Sequence, residues 1–184
     1  MQIPTLETDR LVLRPFVEAD AAALFEVSQD PEVMRFIGDR TIPSMEDCWR
    51  AVATWLGHWQ IRGYGPLAVV DRESGRFIGR VSLWYPYGWP APELGYMFGR
   101  DAWGRGYATE AAGAALDWAF AHVTDLDDWI SLIDPANAAS VRVVTKLGET
   151  PRGETELCGH RVLVYGIDRA TWAARTVDRS RSVT

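Results

Sequence analysis

"ELGYMFGRDAWGRGYATEAAGAALDWAF", residues 93–120, changes its periodicity partway along. Glu93 to Phe98 alternates, putting Glu93, Gly95 and Met97 on one face and Leu94, Tyr96 and Phe98 on the other, as in a strand. From Ala108 onward, Ala111, Ala112, Ala115, Leu116, Ala119 and Phe120 recur at helical steps. Small alanines on that face let the helix lie close against a sheet. Between the two lies a loop with Gly104 and Gly106, and "DDWISLID" (127–134) follows as a further strand. Strand, loop, long helix and strand form a crossover connection, so the two strands are expected to run parallel.

The flanking segments read differently. "GPLAVVD" (65–71), a turn at "RESG" and "RFIGRVSLW" (76–84) form a hairpin. "ETELCGHRVLVYGID" (154–168) forms another, turning near Gly159. "RLVLRPF" (10–16) reads as a first strand with Leu11 and Leu13 inward. The next twenty residues read as a helix broken at Pro31, with a short second helical turn after it. Ser44 and Asp47 make a capping box for a helix carrying Met45, Cys48, Trp49, Val52, Trp55, Leu56 and Trp59 on a core stripe, ended by Gly63. "NAASVRVVTKLG" (137–148) is a short helix. The class is therefore α/β (α+β): one domain over residues 1–172, with a mixed, mostly antiparallel sheet flanked by helices. From Ala170 the sequence turns polar, and residues 173–184 are expected to form a frayed tail.

Bulk properties narrow the function. The chain has 184 residues, 47% hydrophobic, with a formal net charge of −6, as suits a globular domain with a proper core. Of its 19 basic residues only Lys146 is a lysine, and no basic run exists, which argues against nucleic-acid binding. Cys48, Cys158 and the scattered His58, His122 and His160 offer neither a disulfide framework nor metal-ligand spacing. No metal is expected. "MQIPTLETDRLVLRPF" lacks the basic start and apolar run of a signal peptide, and no stretch approaches a membrane span. A reduced, cytoplasmic protein without membrane contact is the expectation, and the tryptophan content fits a homodimer.

The loop has the makings of an anion site. A Walker loop needs Gly-Lys before Ser or Thr, which the single lysine excludes. A dinucleotide fingerprint would need a third glycine where Thr109 stands, near the start of a parallel sheet. The remaining candidate is a pyrophosphate on consecutive N–H groups at a helix N-terminus, where orphan donors and the helix dipole favour negative charge. Alone, Gly-x-Gly reads equally as a tight turn without a ligand.

Taken together, "ELGYMFGRDAWGRGYATEAAGAALDWAF" and "IDPANAASVRVVTKLG" resemble the acetyl-CoA-binding half of the GNAT superfamily of N-acetyltransferases. "TDRLVLRPFVEADAAALFEVSQDPEVMRFIG" extends the likeness to the RimJ/RimL-like branch, the ribosomal-protein N-terminal acetyltransferases and their relatives. The likeness covers residues 7 to 172. It implies a splayed parallel strand pair holding acetyl-CoA, with the pantetheine arm paired to backbone groups of Met97 and Phe98. It also implies that the pyrophosphate sits on the N–H groups running from Gly104 through Arg105, Gly106, Tyr107 and Ala108 to Thr109. Trp103 stands where the superfamily often has Gln or Arg, Glu149 where a phenylalanine usually follows "KLG", and Val144 where many members carry a tyrosine acid.

The resemblance implies an acetyl-CoA-dependent N-acetyltransferase acting on a primary amine, a protein N-terminus or a small molecule, by direct attack. Glu93 is the candidate base, its plain alternative a solvated carboxylate at a strand end. Asp134 is a weaker candidate, equally able to start the "DPAN" turn. In the branch's N-x-x-S pattern, Ser140 stands near the thioester sulfur as hydrogen-bond donor, or else is a first-turn helix residue. Asn137 is a helix cap that can also touch the pantetheine arm, and Arg105 and Arg142 can reach the phosphates. Trp84, Tyr85, Tyr87 and Trp89 either cover the sheet end or line an acceptor pocket. Val144 in the tyrosine position keeps open a rival function, a non-catalytic acyl-CoA-binding module.

Overall fold

A computed structural model describes residues 2–181, with side chains through Arg175. The chain runs β1 (Leu6–Glu7), β2 (Leu11–Arg14), α1 (Asp20–Ser28), α2 (Pro31–Met34), α3 (Met45–Arg62), β3 (Leu67–Asp71) and β4 (Phe77–Trp84). Then come β5 (Glu93–Phe98), α4 (Tyr107–His122), β6 (Asp128–Ile133), α5 (Ala138–Leu147), β7 (Thr150–Leu157), β8 (His160–Asp168) and α6 (Arg169–Arg181). Among the described residues the strands form one sheet in the order β1-β2-β3-β4-β5-β6-β8-β7. Every pairing is antiparallel except β5 with β6. The crossover expected around α4 is therefore present.

Two helical layers sandwich this sheet. On one face α4 buries Ala111, Ala112, Ala115, Leu116 and Ala119 against Leu13, Val69, Val81, Leu94 and Phe98. All five α4 residues are 1% exposed or less, so its alanine face does lie close to the strands. On the other face α1–α3 pack Leu24, Met34, Cys48 and Val52 with Phe16, Ala68 and Met97. Local rules place the helix ends. The Ser44 hydroxyl accepts from the Asp47 N–H (3.1 Å) while the Ser44 N–H donates to Asp47 Oδ2 (3.0 Å), and Gly63 caps the far end of α3. Pro31 does not merely break a helix: it opens α2, with Asp30 as N-cap.

The polar C-terminal stretch departs from expectation, since α6 continues through Arg181 instead of fraying from Ala170; residues 182–184 lie outside the described residues. The cause is a pair of anchors. Trp172 is 4% exposed and donates its Nε1–H to Asp117 on α4 at 2.8 Å. Arg169 donates to the carbonyls of Val123 (2.9 Å), Leu126 (2.8 Å) and Phe120, capping the C-terminal end of α4. No helix among the described residues is long and apolar enough to cross a membrane.

Candidate active site

The centre of the molecule is a defect in the sheet. β5 and β6 are in register at one pair, Glu93 with Ile130, where the Ile130 N–H donates to Pro92 at 2.9 Å. Past that point one side-chain link remains, from the Ser131 hydroxyl to the Leu94 carbonyl (3.1 Å), and the strands part. A cavity of about 790 Å³ opens there, reaching from the loop before α4 to the aromatic residues after β4.

At the loop end, Gly104 (φ +73°) and Gly106 (φ +80°) take left-handed backbone that L side chains rarely adopt. Among the described residues, the N–H groups of residues 104–109 find no acceptor, although Glu110 N–H returns to the Gly106 carbonyl. Six adjacent free donors, three of them in the first turn of a 16-residue helix, make a cradle of the kind that suits an anion. The cradle is braced from outside. Arg10 donates to the Arg105 carbonyl (2.9 Å) and pairs with Glu110, which also accepts from Thr8, while Tyr107 Oη–H reaches Asp71. Trp103 donates its indole N–H to the Phe98 carbonyl at 2.8 Å, pinning the loop to the end of β5.

Backbone alternation corrects one expectation about β5. Gly99 N–H bonds Ile78, so Met97, two residues back and opposite Arg80, also spends its backbone groups on β4. The groups facing the gap belong to Tyr96 and Phe98. Phe98 was anticipated, Met97 was not correctly assigned, and Tyr96 takes its place. The Tyr96 hydroxyl crosses the gap to the Ser140 carbonyl (3.3 Å), and burial raises its pKa.

At the other end, Glu93 is half-buried in the cavity wall. Its Oε2 accepts the indole N–H of Trp89 at 2.6 Å, and its Oε1 leans over Gly95, 3.7 Å from where a Cβ would stand. Burial pushes its pKa up to about 7, with the Trp89 bond and the charge of Arg80 pulling the other way. A carboxyl poised there exchanges protons at neutral pH. Ser140 lines the same cavity at the start of α5, where Asn137 caps the helix by accepting its N–H at 3.1 Å.

Of the residues picked from sequence, Glu93, Ser140, Met97, Phe98, Trp103, Gly104, Gly106, Tyr107, Ala108, Thr109, Asn137 and Arg142 all line this cavity. Arg105 does not. Its side chain turns to the outer surface of the loop and lies over the Tyr107 ring, 4.8 Å from the centroid. Asp134 takes its plainer role, accepting from Ala136 N–H in the turn (2.7 Å) and pairing with Arg40. The aromatic loop divides. Trp84 and Trp89 line the cavity, whereas Tyr85 donates its N–H to His58 and Tyr87 is fully exposed. The α3 stripe divides too: Trp59 is core, Trp49 is 49% exposed, and Trp55 lies over Arg80 at the cavity wall. Val144 is fully buried.

Sequence reasoning missed Arg80, which burial drives below its ordinary pKa, and the setting of Glu149. Glu149 is 5% exposed with Oε1 3.0 Å from the Ser131 hydroxyl, Oε2 without a partner, and a pKa pushed up to about 8 by burial. A protonated Glu149 can donate to Ser131 while Ser131 donates to Leu94, which satisfies the link that closes the split. Alternation marks Arg80 as facing the same side as Glu93, but nothing local announces that it goes unpaired.

Comparison with known proteins agrees with this architecture. Residues 10–150 match the model of the acetyltransferase (GNAT) domain. The chain is 37% identical over 152 residues to the uncharacterized protein YkkB of Bacillus subtilis (strain 168), covering 78% of this chain and 83% of that one. It superposes on the crystal structure of an acetyltransferase from Agrobacterium tumefaciens str. C58 with a TM-score of 0.78 and 32% identity, covering 91% and 95% of the two chains. The fold, at 20% identity and a TM-score of 0.75, is also that of RimL, a ribosomal L7/L12 α-N-protein acetyltransferase solved with coenzyme A, over 90% and 98% of the chains. A split sheet with an anion cradle at the head of α4, matched over most of its length by that domain, makes this chain a member of the GNAT acetyltransferase family.

Proposed function

We propose that the protein transfers an acetyl group from acetyl-CoA to a primary amine by direct attack, with Glu93 as base and Ser140 as donor to the leaving sulfur. The observation that carries this reading is one continuous cavity with the backbone N–H cradle at one end and a carboxyl of pKa about 7 at the other. The cradle suits a pyrophosphate, and the open edge at Tyr96 and the Phe98 N–H suits the amides of a pantetheine arm, the Phe98 carbonyl being taken by Trp103. When bound, acetyl-CoA supplies an activated acyl carbon.

Around that carbon the chain does the rest. Glu93 Oε1 takes the proton released as the amine nitrogen forms its bond, while Trp89 fixes the carboxyl's other oxygen. Ser140 Oγ–H donates to the sulfur as the C–S bond breaks. A free thiol has a pKa of about 8.5, so the leaving group needs modest help instead of a strong acid. Holding both reactants in one cavity supplies much of the remaining acceleration.

The test is thermal stability with acetyl-CoA, CoA, NADH and ATP, followed by acetylation of an amine panel across pH. A ligand at one hundred times its Kd stabilises a fold by about 2.7 kcal/mol. Stabilisation by CoA species alone is expected, with kcat/KM rising as pH passes through about 7 and Glu93 loses its proton. Absence of any CoA effect refutes the cradle, whereas tight CoA binding with no amine acetylated supports the non-catalytic module.

A further inference from the structure

On the α1–α3 face of the sheet, Arg80 and Ser82 of β4 stand opposite Met97 and Gly95 of β5, and Trp84 stands opposite Glu93. Opposed residues of an antiparallel pair share a face, so Arg80, Ser82, Trp84, Gly95 and Glu93 form one patch. Glu93 and Met97 are separated by about 13 Å of strand at roughly 3.3 Å per residue. The Arg80 guanidinium shortens that span by leaning toward Glu93 to donate to the Ser82 hydroxyl (2.5 Å). Glycine at position 95 keeps the floor between them clear, and Glu93 Oε1 leans over it from the other side. Trp55, Trp84 and Trp89 wall the space.

Of the other cations that line the cavity, Arg40 and Arg35 are engaged by Asp134 and Glu32, and Arg142 and Lys146 stand on α5, outside the β4–β5 patch. Arg80 makes no ion pair among the described residues. Its contacts are the one hydroxyl and the face of Trp55, 5.2 Å to the centroid, and its charge reaches Glu93 without a direct ion pair. A half-buried guanidinium on a cavity wall, without a direct ion pair, is stabilised when an anion arrives, and its planar fork matches a carboxylate.

Resting on the acetyltransferase reading above, we infer that the acceptor is a free amino acid, its carboxylate held by Arg80 and its amine directed at Glu93, with the tryptophans around its side chain. A protein N-terminus carries an amide where a free amino acid carries its carboxylate, and would leave Arg80 unanswered. Arg80 is thus a specificity residue for the acceptor.

The experiment compares free amino acids with their own carboxamides on the CoA-saturated protein, read by thermal shift, and on the acetyl-CoA-loaded protein, read by turnover. A carboxamide's amine is the less basic and more often neutral at pH 7, so intrinsic reactivity favours the amide. Preference for the acid therefore reports recognition. At least one amino acid, with the aromatic ones foremost, is expected to exceed its amide by about 10-fold or more in kcat/KM. Arg80→Gln and Arg80→Lys should lower kcat/KM for the acid, the Gln variant by about 100-fold and mainly through KM, and by far more than for the amide, which feels only the loss of a positive charge beside Glu93, while stabilisation by CoA stays unchanged. Equal or better use of the amides, or preference for a peptide amide with an acidic first residue, overturns the inference and leaves acetyl transfer standing. Failure of the acids to stabilise the CoA-saturated protein any better than the amides overturns it too, even without turnover. Loss of the CoA effect itself is a separate result, and refutes the earlier reading.

Discussion

On the proposed reading, the loop at the head of α4 and the patch on β4 and β5 bind in opposite ways. The loop offers backbone: N–H groups of residues 104–109, shaped by two glycines and braced from behind by Arg10 and Glu110. The patch offers side chains, Arg80, Trp84, Trp89 and Glu93, from two strands and a loop, with Trp55 added from α3. A backbone cradle is indifferent to what lies beyond the phosphates, while a side-chain patch can be rewritten one residue at a time. Such a division suits an enzyme whose donor is constant and whose acceptor is particular.

That contrast is breakable. The largest expected effect comes from Glu93→Gln, which removes the base while keeping the Trp89 bond acceptable to an amide oxygen. kcat should fall by about 10²–10⁴-fold with CoA affinity unchanged, and the rise through pH 7 should vanish. Stopped assays across pH 5.5–9 check it, the range being chosen to bracket about 7. Unchanged kcat would mean that Glu93 is a structural partner of Trp89 and not the base.

Gly106→Val attacks the other region. A β-branched residue at φ +80° is strained, and its Cβ would stand 3.5 Å from the Arg10 guanidinium that braces the loop, so the loop should shift and CoA affinity drop about 100-fold. Because the acceptor patch lies elsewhere, KM for the amine should move little; calorimetric titration of CoA together with acceptor kinetics separates the two. Ser140→Ala sharpens the boundary between the regions, with an expected loss of about 10-fold in kcat and the hydrogen-bonded cap at Asn137 intact, since that bond uses the Ser140 backbone.

Glu149 gives the smallest effect, on stability. Its folded pKa of about 8 lies above its ordinary 4.5, so the fold holds a proton that the unfolded chain releases between those values. Its contribution is whole below pH 4.5 and is lost as pH rises through about 8. Glu149→Gln should match the wild type near pH 5 and melt several degrees higher near pH 9, for a gain on the order of 2 kcal/mol. Identical melting curves at both pH values would show that Glu149 ionises freely.

The donor half was legible in sequence because its signals are local. Glycines, an alanine-faced helix and Asn137 three residues before Ser140 are neighbours in the chain, and backbone chemistry follows from their spacing. The acceptor half was legible only in part: Glu93 and the aromatic loop stood out, but Trp55 and Arg80 join them through sheet register and helix packing. The misassignment of Met97 has the same origin: pleat alternation gives the side-chain faces, but which edge each N–H addresses depends on the neighbouring strand. The Arg105 side chain points elsewhere for another reason, as position in a loop does not say which way a long side chain turns, while its N–H stays in the cradle. Trp172 among polar residues was the overlooked sign that the C-terminal segment folds back onto α4.

The parting of β5 from β6 makes the sheet a wall with a slot. α4 and its cradle stand on one side, and the Arg80–Glu93 patch on the other. On the proposed reading, donor and acceptor enter by separate doors and meet in the slot, so neither has to leave before the other arrives. Double-reciprocal plots for the two substrates would then intersect instead of running parallel, and the acetylated product could depart through its own door while spent coenzyme still occupied the other.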